Sequence, residues 1–315
     1  MIENRIIPVS DKKIIRIITT LENYVQNKRN SIILTLITFF SGGHLLIEDL
    51  PGVGKTTLAI AISKALGMSF GRIQCTPDLL PSDITGITIY NKEKNEFVFN
   101  RGPVFNNMVL IDEINRTTQK TQSALLEAME EEQVTIDGKS YPLPKPFFVM
   151  ATQNPSEHYG TFPLPDSQMD RFMLNISMGY PIKDEEIKIL KKGSVRKKLD
   201  KIVPLISKEE IFKIKEKIDS VYTSEKVLSY IVDIVNATRK NKFLITGVSP
   251  RCSLAIMQCC KALAYFNSRD YISPEDVKVL APFVVSHRII FRDEYSSIEK
   301  KELVCEIVEN VSVPV

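Results

Sequence analysis

The chain has 315 residues, 43% apolar and 25% charged, with 41 basic and 38 acidic side chains. It is long enough for two domains with a sizeable core, and this balance excludes disordered, collagen-like and disulfide-scaffold classes. A net charge of +3 implies neither a nucleic-acid nor a membrane partner. The five cysteines (Cys75, Cys252, Cys259, Cys260, Cys305) form no C-x-x-C pair and no zinc spacing with the three histidines, so a reducing compartment is expected. Arg5, Asp11, Lys12 and Lys13 interrupt any apolar run near Met1, and the most apolar stretch, residues 32–40, falls far short of the roughly 20 needed to span a bilayer. No membrane insertion is expected, and the expected location is cytoplasmic.

Taken in chain order, residues 44–47, 70–74, 108–111, 147–152 and 174–178 read as strands. The central ones are apolar almost throughout, as strands buried on both faces are, and helical patterns separate them, which predicts a parallel five-stranded α/β sheet. Helices are expected at 55–66, with Gly67 as C-cap, and at 119–132, where Leu125, Leu126 and Met129 share a face. Two segments fit neither period. Residues 76–101 carry Pro77, Pro81, Gly86 and a short alternating stretch. Residues 133–144 read as a hairpin turning at Asp137-Gly138. After Gly179-Tyr180-Pro181 strands give way to charged amphipathic helices, so the domains are expected at 1–180 and 181–315. The six basic residues within 191–201 read as a solvated linker or helix face rather than a phosphate patch.

The sharpest local signal is Pro51-Gly52-Val53-Gly54-Lys55-Thr56-Thr57, between a strand and a helix. Glycines there let backbone N–H groups surround a phosphate, and the helix start favours its charge. Lys55 is expected to reach the β- and γ-phosphates and Thr56 to ligate magnesium. The full pattern has a glycine five positions before the second one; here that position is Asp49, whose carboxylate is expected to point away from the triphosphate. Asp112 and Glu113 end an apolar strand at the edge where open α/β sheets bind ligands. Asp112 is expected to hold magnesium through water, and Glu113 to deprotonate an attacking water. Asn154, after the 147–152 strand, is placed to bond the γ-phosphate or that water.

The P-loop, Thr76-Pro77-Asp78-Leu79-Leu80-Pro81-Ser82-Asp83-Ile84-Thr85-Gly86, Asp112-Glu113-Ile114-Asn115-Arg116, Ala151-Thr152-Gln153-Asn154-Pro155 and Asp170-Arg171-Phe172 occur in that order. From about Gly42 to His287 the sequence closely resembles the MoxR family of AAA+ ATPases. The resemblance implies a nucleotide-binding core with a helical lid, and ATP and Mg²⁺ as cofactors. Asn154 would be sensor 1 and Arg171 an arginine finger entering a neighbouring subunit's site; a surface arginine paired with Asp166 or Asp170 is the alternative. Arg251, in Ser249-Pro250-Arg251, resembles sensor 2, reporting the γ-phosphate to the lid. Residues 76–101 would be the helix-2 insertion and 133–144 the hairpin before sensor 1, both client-facing surfaces. Arg116 is either a further intersubunit arginine or a surface residue. The family's Val-Gly-Gln element reads Val25-Gln26-Asn27-Lys28 here, which leaves the choice between ATP and GTP open.

The implied function is Mg²⁺-dependent ATP hydrolysis in a homo-oligomeric ring, a hexamer, coupled to chaperone-like activation of a partner, often a von Willebrand factor A domain protein. A nucleic-acid motor would call for a basic stripe that the sequence lacks. A scaffold without turnover has no need of Glu113. Cys259-Cys260 reads as part of a packed helix with inert thiols.

Overall fold

The computed structural model describes residues 7–93, 95–155, 160–181, 183–192, 196–295 and 297–314. Two helices that the strand and P-loop patterns do not announce come first, α1 (Lys12–Glu22) and α2 (Arg29–Phe40). Asp11 caps α1, accepting from the amides of Lys13 and Ile14, and Ile14, Ile17, Ile18 and Leu21 turn inward. α2 is apolar all round and buried from Ser31 to Phe40, which requires cover on every side.

The core follows: β1 (Leu45–Glu48), α3 (Lys55–Ala65), β2 (Phe70–Gln74), α4 (Pro81–Thr85), β3 (Gly86–Asn91) and β4 (Glu96–Arg101). After these come β5 (Met108–Asp112), α5 (Gln119–Glu131), β6 (Gln133–Ile136), β7 (Lys139–Pro142), β8 (Phe148–Gln153), α6 (Asp166–Met169) and β9 (Leu174–Ile176). Five strands form one parallel sheet in the order β2-β5-β8-β1-β9. Alternation sends Leu45, Ile47, Leu110 and Met150 to one face, and Leu46, Val109, Ile111 and Val149 to the other. Both faces are covered, so the strands read as continuous apolar runs. The order places β8 between β1 and β5, which brings the ends of all three to one edge.

Residues 76–101, irregular by sequence, fold into the short α4 and the antiparallel hairpin β3–β4, with Tyr90 opposite Phe97 and Thr88 opposite Phe99. Phe99 anchors the hairpin on Tyr141 and Phe105. β6 and β7 form the second hairpin, turning at Asp137 (φ +50°) and Gly138 (φ +73°). Two consecutive positive φ values are what a type I′ turn demands.

The C-terminal part holds α7 (Lys183–Lys192), α8 (Arg196–Leu199), α9 (Lys208–Asp219), α10 (Glu225–Arg239), α11 (Pro250–Phe266), α12 (Pro274–Val285) and α13 (Lys300–Asn310). A two-stranded ribbon, β10 (Leu244–Thr246) with β11 (Ile290–Phe291), is added to this helical lid. Part of the basic stretch 191–201, residues 193–195, lies outside the described residues. α2 is covered by α1, β9, α9 and α11, so one apolar cluster runs from the sheet through α2 into the lid. Arg288 locks the two parts together. Only 9% exposed, it donates from Nε to Asp170 (2.6 Å) and from Nη2 to the Phe172 carbonyl (2.7 Å), while Ser249 Oγ donates to the other Asp170 oxygen (3.0 Å).

Candidate functional site

Pro51, Gly52, Gly54, Lys55, Thr56, Thr57, Asp112, Glu113, Thr152 and Asn154 line one cavity of about 290 Å³ at the C-terminal edge of the sheet. Gly52 and Gly54 adopt φ of +87° and +100°, and a Cβ built on Gly52 would meet no atom within 4 Å. The loop's open side therefore fits a phosphate that backbone amides surround. Val53 packs partly buried against the core cluster instead of lining the cavity. Lys55 Nζ donates to the Asp49 (2.7 Å) and Leu50 (3.2 Å) carbonyls. Its pKa is lowered by burial, against the pull of Asp49, Asp112 and Glu113.

The Asp49 carboxylate points away from this cavity. It accepts from the Met178 amide, from the Gly179 amide (3.2 Å) and from Ser177 Oγ (3.2 Å).

Asp112 is nearly buried at the end of β5. Its Oδ1 accepts from Thr152 Oγ1 (3.4 Å), and its Oδ2 accepts from Arg72 Nε (2.7 Å). Glu113 adopts φ +58°, ψ +51°, a left-handed conformation that costs on the order of 1 kcal/mol or more and turns its carboxylate into the cavity. Glu113 Oε2 accepts from Gln74 Nε2 (3.1 Å) and from Arg116 Nη1 (2.8 Å). Arg116 is thus placed beside its own Glu113. Thr56 and Asp112 offer the one or two hard oxygen ligands that suit magnesium, which takes its remaining ligands from water and phosphate. Arg72 and Gln74, also on the cavity wall, belong to no motif. Their signal was their spacing: two residues apart on a strand, they share a face.

Arg171 and Arg251 lie elsewhere. With Gly42, Gly43, His44 and Glu130 they line a second cavity of about 370 Å³, which has no residue in common with the first. Arg171 follows α6, bonds the Leu126 carbonyl (2.8 Å) and pairs with Glu130 Oε2 (2.5 Å). Neither Asp166 nor Asp170 is its carboxylate partner. Arg251, at the start of α11, pairs with the other Glu130 oxygen. Arg251 thus lies outside the first cavity, because Ser249 bonded to Asp170 seats α11 over the C-terminal end of α5. The Arg251 hydrogen bond first, and the charges of Arg171 and Arg251, lower the Glu130 pKa against an opposing desolvation. At the cavity floor His44 is buried, its Nδ1 accepting from the Val149 amide (3.1 Å) and its Nε2 facing the Met129 carbonyl (3.1 Å). Desolvation lowers its pKa to about 4.

Cys259 and Cys260 are fully buried in α11, and burial pushes the Cys259 thiol up to about 12 and raises Cys260 too. Both are inert packing groups. Among the described residues, no helix is long and apolar enough to cross a membrane.

Residues 44–174 match the ATPase family associated with various cellular activities (AAA), and residues 236–307 match the AAA lid domain. An uncharacterized protein of Bacillus subtilis (strain 168), YeaC, is 47% identical over 290 residues, 91% of each chain. The chaperone MoxR1 of Mycobacterium tuberculosis is 38% identical over 290 residues, covering 89% of this chain and 76% of that protein. A crystal structure of a candidate ATPase from Cytophaga hutchinsonii superposes with a TM-score of 0.89 at 39% identity, covering 96% of this chain and 94% of the other.

Proposed function

Because this chain belongs to the MoxR family of AAA+ ATPases, we propose that it hydrolyses ATP with magnesium in a ring of identical subunits, a hexamer. Hydrolysis would drive chaperone-like remodelling or activation of a partner protein, a von Willebrand factor A domain protein being the expected kind. The observation that carries this reading is the separation of the two cavities. The first holds what binding and water activation need, yet Arg171 and Arg251 belong to the second. An arginine supplied to a transferring phosphoryl group is typically worth roughly 10³- to 10⁵-fold, so the two cavities make one catalytic centre only when adjacent copies face each other.

Within that centre Lys55 leaves its two loop carbonyls for the phosphates, and the open P-loop amides cradle them. Thr56, and Asp112 through water, would hold the magnesium, which would supply charge neutralisation at the phosphates. Glu113 takes a proton from the attacking water, Asn154 orients water or γ-phosphate, and Arg171 and Arg251 of the adjacent copy face the γ-phosphate. The apolar side chains on the β3–β4 hairpin support a client-facing role for it, since Phe97 is 74% exposed and Ile87, Ile89 and Tyr90 are exposed beside it.

The test mixes two inactive variants. Lys55→Ala removes the phosphate cradle and Arg171→Ala the finger, and each alone should release almost no phosphate. Mixed chains pair an intact cradle with an intact finger at some interfaces, so turnover should return to a sizeable fraction of wild type. Mixtures as inactive as either variant would defeat the shared site.

A further inference from the structure

Among the described residues, Arg72 is the cation bonded to the carboxylate that the magnesium site needs. Its place is fixed by the sheet: β2 pairs with β5 so that Arg72 lies opposite Leu110 and Gln74 opposite Asp112. From there Nε reaches Asp112 Oδ2 at 2.7 Å, and Nη2 reaches Gln74 Oε1 at 3.0 Å. Thr152 takes the other Asp112 oxygen. Both oxygens of Asp112 are therefore occupied. The two partners differ in how firmly they are held: the Asp112 side chain is 10% exposed, whereas that of Arg72 is 44% exposed. The carboxylate is fixed, and the guanidinium has solvent on its open side.

A guanidinium and a divalent ion compete for one carboxylate oxygen and repel each other at that distance. We infer that Arg72 is a resident cation of the metal site, which leaves Asp112 when the site loads and so sets how much magnesium the site requires. This inference rests on the ATPase reading. It makes Arg72 a positioning residue: in the unloaded chain it neutralises Asp112 beside Glu113, and on loading it gives up that bond. The residue acts in its own protomer and needs no neighbouring copy.

The experiment titrates metal into the full chain with a saturating non-hydrolysable ATP analogue, using Mn²⁺ as the probe and the electron paramagnetic resonance signal of free Mn²⁺ as the readout. The same titration is run on Arg72→Gln, which removes the charge, and on Arg72→Lys, which keeps a charge without the planar fork. Thermal melts without ligand check that the variants fold. Arg72→Gln should lower the half-saturating Mn²⁺ concentration by roughly two- to fivefold, the range for one partly exposed ion pair. Arg72→Lys should fall between it and wild type. An unchanged or raised half-saturation in Arg72→Gln overturns the inference, the raised value meaning that Arg72 serves as a phosphate ligand. Failure of the wild type to bind the analogue at any metal concentration would instead defeat the ATPase reading itself.

Discussion

The two cavities are built from opposite kinds of chain. The first is assembled from strand ends and the P-loop, all at one edge of a single sheet, and its P-loop cation Lys55 is held by backbone carbonyls only a few residues away. The second is assembled across parts of the molecule far apart in sequence: Glu130 on a core helix holds Arg171 of the core and Arg251 of the lid. A site made of one sheet edge is complete in the fold of a single chain. The paired arginines instead depend on how the lid is seated, and one carboxylate between them holds both. The first cavity accordingly looks built for binding and the second for being presented.

Arg171→Ala is the strongest way to break that contrast. Phosphate release should fall by roughly 10³- to 10⁵-fold while nucleotide affinity of the dilute chain stays within a few-fold of wild type. If affinity collapsed together with turnover, Arg171 would belong to the first cavity. Glu113→Gln should cost roughly 10²- to 10⁴-fold and leave nucleotide bound. Such a chain should retain client proteins in affinity capture.

His44, on the floor of the arginine cavity, sharpens the contrast through pH. Below about pH 6.5 the unfolded imidazole takes a proton that the folded one refuses until about pH 4. Stability is therefore lost as pH falls through that window, with a slope approaching about 1.4 kcal/mol per unit. His287, whose pKa is lowered by burial and then by Arg288, acts in the same sense. Urea midpoints between pH 7 and 5 should fall in wild type and fall less steeply in His44→Gln; equal slopes would show that His44 is protonated in the fold. The smallest effect belongs to Glu130→Gln. Both of its ion pairs are partly exposed, with side-chain exposures from 31 to 49%, and such pairs contribute about 1 kcal/mol or less each. A melt shifted much further would mean that Glu130 holds the lid, beyond holding two side chains.

The same division decides what the sequence disclosed. The five strands, the P-loop and the acids at the end of β5 announce themselves locally, because burial on both faces makes a strand apolar and because a phosphate cradle demands glycines at fixed spacing. Asp137-Gly138 announced its hairpin for the same reason. α2 gave no amphipathic signal, because a helix covered by the sheet and the lid together has no polar face to mark its period. The β3–β4 hairpin was obscured by a turn without such a marker. Glu130 as the partner of both arginines, and Arg72 as the partner of Asp112, are pairings between residues 40 to 121 positions apart, and nothing in either neighbourhood specifies them. The same holds for Arg251: its motif was legible, but the seating of α11 depends on Ser249 and Arg288 meeting Asp170.

Asp49 carries a further consequence. Its carboxylate ties the entrance of the P-loop to the amides of Met178 and Gly179, just where the backbone departs for the lid. A loop that shifted on closing over a ligand would pull on that departure point through this short strap. Replacing Asp49 with glycine would restore the commoner loop sequence and cut the strap, leaving the cradle intact but its movement unheard by the lid.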